Sequence, residues 1–369
     1  MRLIIITALA IGATTSSMVA QTPPVTQAGK AAKAVKPPKK KDADSAMVSK
    51  FFRSETPLAA TLTTNVGKLR GDKNAETSPW RPATFSYSGP DTAHGTIPVK
   101  LKTRGIWRLK NCQFPPVRMN FTSEAVKKTP FAGLDQPKLV NHCRDEDTYE
   151  QYILQEFQLY RIYRLLTPAS HAVRLLKLTY ADSGKEKEKP LASRYAFLVE
   201  PPGELAARMS ARPTKIKGAG PNDLEPFQSG LVGVFLYMIG NTDFAFGALH
   251  NIELIQMANG DYLPIAYDFD FSGAVNARYA TVDPQLRNRT VRERLYRGYC
   301  VPNEEYPKVF ALFNAKKDSI YALYKDSLGA LLRPGIADET LKYFDEFYKT
   351  INNPKYAKND IMDACIGKK

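Results

Sequence analysis

The sequence has few of the residues that build nitrogen and sulfur metal centres. It holds 4 cysteines and 4 histidines, and no two cysteines are separated by only two residues. His142, beside Cys143, is the one imidazole close to a cysteine in the sequence. Structural zinc sites use four such ligands at short spacings. The sequence therefore argues against a zinc site.

Long apolar runs are also missing beyond the first 20 residues. The apolar run Leu231–Ile239 covers about half of the roughly 20 residues that a membrane-spanning helix needs. It predicts a buried helix instead. We therefore expect no integral membrane segment after residue 20.

Residues 1–20 have the pattern of a secretory signal. Arg2 precedes an apolar run from Leu3 to Ala13, and small residues follow up to Ala20. This order is typical of a signal peptide that is removed on export. We expect cleavage after Ala20 and a secreted or periplasmic protein of a bacterial envelope.

The cysteines of an exported protein are usually paired, and their even number favours two disulfide bonds. Three pairings are possible. We favour Cys112–Cys143 and Cys300–Cys365, because each of these bonds joins sequence neighbours within one half of the chain.

Acidic residues are outnumbered by basic ones, which leaves a net charge of +15. Many of the lysines lie within residues 30–50, and residues 21–46 have almost no large apolar side chain, so they predict a disordered linker. A basic surface suits phosphate-rich partners such as a nucleotide, although a solvated basic surface explains the charge equally well. Nucleic acid is not expected, because the lysine run lies in the linker rather than on a folded face.

The remaining pattern predicts a strand-rich part followed by a helix-rich part. Alternating apolar residues predict strands at 57–64, 66–69, 83–87, 97–103, 114–121, 173–180 and 193–200. Helical spacing predicts helices at 149–166, 204–209, 227–239, 306–332 and 339–352. This order favours an α+β domain over residues 47–369, with an N-terminal antiparallel sheet lobe (47–200) and a mainly helical C-terminal lobe (201–369).

The segment Gly240–Gly273 carries polar side chains at spacings that apolar packing does not explain. Two apolar strands joined by a turn predict a hairpin whose ends meet. Asp243, Asn251, Asp268 and Asp270 would then converge at one mouth. Oxygen ligands of this kind suit Mg²⁺ or Mn²⁺ that carries phosphate oxygens. Because Asp268 and Asp270 are two residues apart, we expect both on the same side of the strand.

Each of these residues also has a structural explanation. The pair Asp268 and Asp270 could cap the turn that follows, and Asp243 could close a turn of its own. His250 is better explained as a structural hydrogen-bonding residue. Arg118 could be a solvated strand residue.

Residues 95–345 contain further features of note: Arg104-Gly105, the strand with Arg118, the long helix after Asn141, and above all the run Pro264–Asp270 (PIAYDFD). In these features the chain resembles the CotH-type secretory and spore-coat kinases. The resemblance implies a kinase-like two-lobe fold. It also implies a phosphotransferase that uses ATP and Mg²⁺ (or Mn²⁺) and acts on an envelope or secreted protein.

The resemblance implies a role for each polar residue of the hairpin. Asp243 would be the catalytic base or would position the acceptor. Asn251 and Asp268 would hold the metal, with Asp270 as a further ligand or just behind the ligands.

The resemblance also implies a cation on the nucleotide phosphates. Arg118, or else Arg104, would take this place, and Glu150 or Glu156 would orient it. The alternative function is an inactive kinase-like module for binding or assembly in the envelope. A metal-dependent glycosyltransferase is disfavoured, since no Rossmann-like βαβ run precedes the Asp268-x-Asp270 pattern.

Overall fold

The computed structural model describes residues 48–89, 92–185, 190–191 and 193–367. The predicted signal peptide (1–20) and linker (21–46) lie outside the described residues. Everything below concerns the described part of the chain, which belongs to one compact unit.

Seven strands form a closed barrel in the order β1-β2-β3-β4-β5-β7-β6. Their bounds are β1 Leu58–Thr64, β2 Arg81–Gly89, β3 Thr92–Thr103, β4 Val117–Phe121, β5 Lys138–Val140, β6 Val173–Asp182 and β7 Arg194–Val199. Alternation along β1 turns Leu58, Ala60 and Leu62 inward, as period two requires. The barrel interior is filled by aromatic and aliphatic side chains from all of its walls.

The predicted two-lobe kinase-like architecture, with an antiparallel sheet lobe and a mainly helical second lobe, is wrong. The sheet is mixed and closed, because β1 pairs antiparallel with β2 and parallel with β6, with Leu58 opposite Leu176. Alternation in the sequence sets which side chains face inward, but it does not name a partner strand more than a hundred residues away. The later part of the chain also contains a second sheet, β8 to β10, with bounds Arg212–Thr214, Ile252–Gln256 and Tyr262–Ala266.

The helices pack against the barrel and against one another. Their bounds are α1 Lys50–Arg53, α2 Val66–Gly71, α3 Trp107–Asn111, α4 Ser123–Val126, α5 Asp147–Leu166, α6 Pro202–Arg208, α7 Pro226–Ile239, α8 Glu305–Ala322, α9 Ile336–Ile351 and α10 Pro354–Ala357. Shorter turns of helix lie at Pro221–Asp223, Gly329–Leu331 and Lys358–Met362. Helix α5 contacts β6, β7 and α8, so most of its circumference is buried.

Local capping decides two helix boundaries that matter here. The stretch Val66–Leu69, predicted as a strand, begins α2, because the Asn65 side chain accepts a hydrogen bond from the Lys68 backbone N–H at 2.8 Å. Helix α7 ends at Ile239, and the next residue, Gly240, has a φ of 66°, the left-handed conformation that glycine adopts just after helix ends. This turn directs the chain into the segment that carries Asn241 and Asp243.

Both predicted disulfide bonds are confirmed. Cys112 pairs with Cys143, and Cys300 pairs with Cys365, with Cα–Cα distances of 4.6 and 4.8 Å. Because all four cysteines are paired, none can ligate zinc. Among the described helices, none is both long enough and apolar enough to span a bilayer.

His142 should make the protein sensitive to mild acid. Its ring is 1% exposed and packs 4.6 Å from the Phe114 ring, and burial lowers the His142 pKa to about 4. Below pH 6.5 the unfolded chain therefore binds a proton that the folded chain does not bind. We expect about 3 kcal/mol of unfolding free energy to be lost as the pH falls from 6.5 to 4.

Urea unfolding at pH 7 and at pH 4.5 measures this loss. His142→Leu should remove most of it, whereas replacing the exposed His94 with leucine should not. An equal pH dependence in the wild type and in His142→Leu would contradict the assignment.

Candidate functional site

The two ends of the Gly240–Gly273 segment meet, as the hairpin predicts. The Gly273 N–H donates to the Gly240 carbonyl at 3.0 Å, and the Tyr267 N–H donates to the Asn251 carbonyl at 3.1 Å. The Asn241 side-chain amide lies 3.5 Å from the Asp268 carbonyl oxygen. The structure therefore brings Asp243, Asn251 and Asp268 into one neighbourhood.

The Asp243 carboxylate is held from two sides. His250 Nε2 lies 2.8 Å from Asp243 Oδ1, and Asn251 Nδ2 donates to Asp243 Oδ2 at 3.1 Å. The Asp243 N–H in turn donates to Asn241 Oδ1 at 2.8 Å. The hydrogen bond to Asp243 raises the pKa of His250. These hydrogen bonds orient the Asp243 carboxylate. Because its side chain remains 40% exposed, a ligand can still reach it.

The backbone at this place adopts conformations that side chains normally avoid. Among the described residues, five that are not glycine have a positive φ, and three of them are here: Leu249 at 53°, Asn251 at 52° and Asp268 at 65°. A left-handed residue such as Leu249 costs about 1–2 kcal/mol, whereas Asn and Asp adopt this conformation more readily. Such strain persists only where the surroundings enforce it, and it is concentrated at functional sites.

The left-handed backbone at Asp268 also separates the side chains of Asp268 and Asp270. Strand β10 ends at Ala266, so strand alternation no longer applies at residues 268 and 270. The two aspartates therefore lie in different surroundings, and the expectation that they share one side of a strand does not hold.

Helix α5 holds this turn through a line of side-chain oxygens. Side-chain oxygens on one face of α5 accept hydrogen bonds from four backbone N–H groups. Ala266 donates to Tyr163 at 3.4 Å, Asp268 to Tyr160 at 2.9 Å, Phe269 to Glu156 at 3.3 Å and Arg278 to Tyr152 at 3.3 Å. The intervals of three and four residues place these side chains above one another. Helix α5 thus fixes the backbone that presents Asp268.

Asp270 belongs to a buried cluster beneath the site. It accepts a hydrogen bond from the Tyr279 hydroxyl at 3.0 Å and lies 3.8 Å from Arg108 Nη1. Burial raises the pKa of Asp270 to about 6, and it also raises the pKa of Glu156. Arg108 donates to the Asn141 carbonyl and faces both acids. Asp270 therefore has partners of its own, unlike Asp268.

Arg118 and Lys138 of the barrel wall lie near the site, since their charges act on Tyr267 and Asp268. Lys102, Arg118 and Lys138 are cross-strand neighbours on β3, β4 and β5. Lys138 Nζ lies 2.9 Å from Glu253 and 3.6 Å from the centre of the Tyr267 ring, and burial lowers the Lys138 pKa.

Arg118 is exposed and forms no ion pair among the described residues. Arg104 follows β3, and its Nε is buried without a hydrogen-bond partner. Both arginines remain available to an anion.

The two glutamates named for orienting a cation lie in different places. Glu150 accepts from Lys177 at 2.9 Å and from the Tyr195 N–H at 2.6 Å, so its carboxylate is engaged away from Arg118. Glu156 is fully buried in the site. Only Glu156 stands beside the turn that carries Asp268.

Several polar atoms around the turn lack a partner. Among the described residues, the Asp268 carboxylate forms no hydrogen bond or ion pair, and its interactions with neighbouring charges are electrostatic only. Glu156 Oε2 and Arg108 Nε are buried without hydrogen-bond partners as well. Because buried polar groups are nearly always satisfied, such a concentration is typical of a functional site that binds an ion or water.

The donor set decides which metal the site could hold. In the described part of the chain, no group of three or more His, Cys, Asp or Glu is placed to bind a metal ion. The candidate metal ligands that remain are the Asp268 carboxylate and the amide oxygen of Asn251. Mg²⁺ commonly takes one or two protein oxygens and completes its shell with water and substrate phosphates. The residues fit an ion that arrives with a phosphate ligand, rather than a closed protein cage.

Sequence reasoning missed the roles of Arg108, Lys138 and the α5 tyrosines. The apolar spacing of α5 made Tyr152 and Tyr160 look like ordinary core residues. One feature of the sequence could have indicated these roles: tyrosines rather than leucines lie at helical spacing from the buried Glu156. Nothing in the sequence paired Lys138 with Glu253.

Comparison with known proteins assigns the chain to no family. No protein-family model matches it, and no curated protein matches it.

Proposed function

We propose that this chain is an exported, divalent-cation-dependent phosphotransferase. It would move the terminal phosphoryl group of ATP to a hydroxyl group of an envelope or secreted protein, as the CotH-type kinases that its site residues resemble do. The two disulfide bonds suit an oxidising compartment outside the cytoplasm.

The observation that carries the proposal is the Asp268 carboxylate. It is presented on a left-handed turn that α5 holds from behind. No described side chain neutralises it by direct contact, although Lys138 and Arg108 act on it at longer range. An aspartate held in one orientation without a partner is suited to a divalent ion. A bound Mg²⁺ would supply neutralising charge on the phosphate oxygens.

Asp243 would act on the acceptor. His250 and Asn251 hold its carboxylate in one orientation and leave further lone pairs on both oxygens. The acceptor hydroxyl would donate its proton to Asp243 as its oxygen bonds to the phosphorus. The bond from phosphorus to the leaving diphosphate oxygen breaks in the same displacement.

Arg104 and Arg118 would contact the phosphates. Arg104 carries a buried unpartnered Nε, and Arg118 sits exposed between Lys102 and Lys138. One guanidinium group can donate two parallel hydrogen bonds to two oxygens of a phosphate, so an arginine can orient the phosphate as well as attract it.

Mg²⁺ and nucleotide should stabilise the protein only together. Because the protein offers few metal ligands of its own, neither Mg²⁺ alone nor ATP alone should raise the melting temperature appreciably. Both together at about 100 times the dissociation constant should add about 2.7 kcal/mol of stability. A thermal melt in four conditions, followed by transfer of labelled phosphate to envelope extract, tests the proposal.

The same measurements also distinguish an active phosphotransferase from the alternative function, an inactive binding module. Stabilisation by Mg²⁺ and ATP without any labelled product would favour an inactive binding module. The pairing of Lys138 with Glu253 favours that alternative, since it engages one of the cations nearest to Asp268. The absence of stabilisation with Mg²⁺ and with Mn²⁺ would reject nucleotide binding altogether.

A further inference from the structure

A cavity lies on another face of α5, away from the candidate site. Its volume is about 520 Å³, within the range of small-molecule sites. Its lining has an apolar side and a polar side. The apolar side includes Phe52 of α1, Phe157 and Leu165 of α5, Val173 of β6 and Leu323 after α8, and the polar side is formed by Arg53, Ser54, Glu55, Arg161 and Arg164. The apolar side could contact a hydrocarbon chain while the polar side contacts a charged head group.

Two arginines of α5 face this cavity, and they differ in how they are neutralised. Arg161 lies 2.6 Å from Asp326 and 3.8 Å from the exposed Glu55. In the part of the chain that the structure describes, the one hydrogen-bond partner of Arg164 is the Ser170 carbonyl, at 3.5 Å. No carboxylate lies within ion-pair distance of Arg164 among the described residues.

The acid whose charge acts on Arg164 is Glu200, and it is already engaged. Glu200 pairs with Arg208 at 2.9 Å, and Arg208 also donates to the Ser170 carbonyl. Burial and the charge of Arg208 lower the Arg164 pKa. A partly buried cation without an anion is costly, and a carboxylate in the cavity would remove that cost.

We propose that this cavity binds a single-chain anionic amphiphile, an alkyl carboxylate, with its head on Arg164 and its chain along the apolar wall. The planar guanidinium can hold a carboxylate by two parallel hydrogen bonds. Each methylene buried against the wall strengthens binding by about fourfold. The proposal does not depend on phosphoryl transfer.

The cavity is linked to the candidate site through α5. Phe157 lines the cavity, and its neighbour Glu156 accepts the Phe269 N–H beside Asp268. A ligand that packs on Phe157 therefore touches the helix that presents Asp268. Binding of an envelope lipid acid would stabilise this helix.

Titration calorimetry of the full chain with sodium laurate, below its micelle concentration, tests the proposal. We expect saturable binding of one laurate per chain in the micromolar range, at least tenfold weaker binding of octanoate, and weak binding of dodecyltrimethylammonium. Arg164→Gln should weaken laurate binding at least tenfold. The exposed Arg287→Gln is the matched control and should leave laurate binding unchanged.

A second variant guards against misfolding. Leu165→Trp fills the cavity, and it should abolish laurate binding while the circular dichroism spectrum stays unchanged. Three results would overturn the proposal: no saturable laurate binding by the wild type, equal affinity in Arg164→Gln, or equal affinity for the cationic amphiphile. Displacement of laurate by a peptide of residues 41–47 would instead assign the cavity to the chain's own segment.

Discussion

Replacing Asp268 with asparagine should abolish stabilisation by Mg²⁺ and ATP, and it should lower phosphoryl transfer by about 100-fold or more. The change removes one negative charge and no bulk. Asparagine tolerates the left-handed conformation, so the φ of 65° adds no new strain. The variant should fold about as stably as the wild type, because the lost charge repelled Glu156 and Asp270 but attracted Arg108 and Lys138, and these two effects oppose each other.

The matched control is Asp135→Asn, which removes an equal charge from an exposed turn. Transfer of labelled phosphate and thermal melts with and without Mg²⁺–ATP should separate the two variants. If Asp268→Asn retained Mg²⁺-dependent stabilisation, the assignment of Asp268 to the metal would be wrong.

Replacing Arg108 with methionine should lower the free energy of unfolding by about 3–5 kcal/mol. Arg108 is only 8% exposed and faces Asp270 and Glu156. Its removal leaves the Asp270 charge buried without a cation. The loss should be much larger than that of a surface arginine.

Chemical denaturation measures this effect, and two further variants interpret it. Arg333→Met removes an arginine that is 47% exposed and lies 3.5 Å from Asp147, and it should cost less than about 1 kcal/mol. Arg108→Met combined with Asp270→Asn should recover more than half of the loss, because asparagine is neutral and keeps a partner in Tyr279. Equal stability of the Arg108→Met and Arg333→Met variants would show that the cluster is not held by charge.

Local pattern was enough for much of the secondary structure. The helix at Tyr149–Leu166 was predicted within two residues of α5, and the β9–β10 hairpin was predicted with its turn. Helical spacing and strand alternation are set by nearby residues, so a single sequence reveals them. The predicted strand at Val66–Leu69 is wrong, because the helix cap at Asn65 favours a helix more strongly than the alternation favours a strand.

Long-range pairing was beyond the reach of the same patterns. The parallel contact of β1 with β6 closes the barrel, and it overturned the predicted lobes. In the site, the sequence placed Asp243, Asn251 and Asp268 together because a hairpin forces its ends to meet. It could not indicate that Asp270 would turn inward to Arg108, since Arg108 comes from a helix that follows a distant strand.

The amino-acid sequence by itself indicated the long helices, the β9–β10 hairpin and the meeting of its ends, because each of these depends on spacing along the chain, and it favoured the observed disulfide pairs among three possibilities. Only the tertiary structure decided the closed barrel, the left-handed turn at Asp268 and the choice of which acids are neutralised. Those features depend on which groups share a buried volume, and burial makes an unpaired charge costly wherever its partner lies in the sequence.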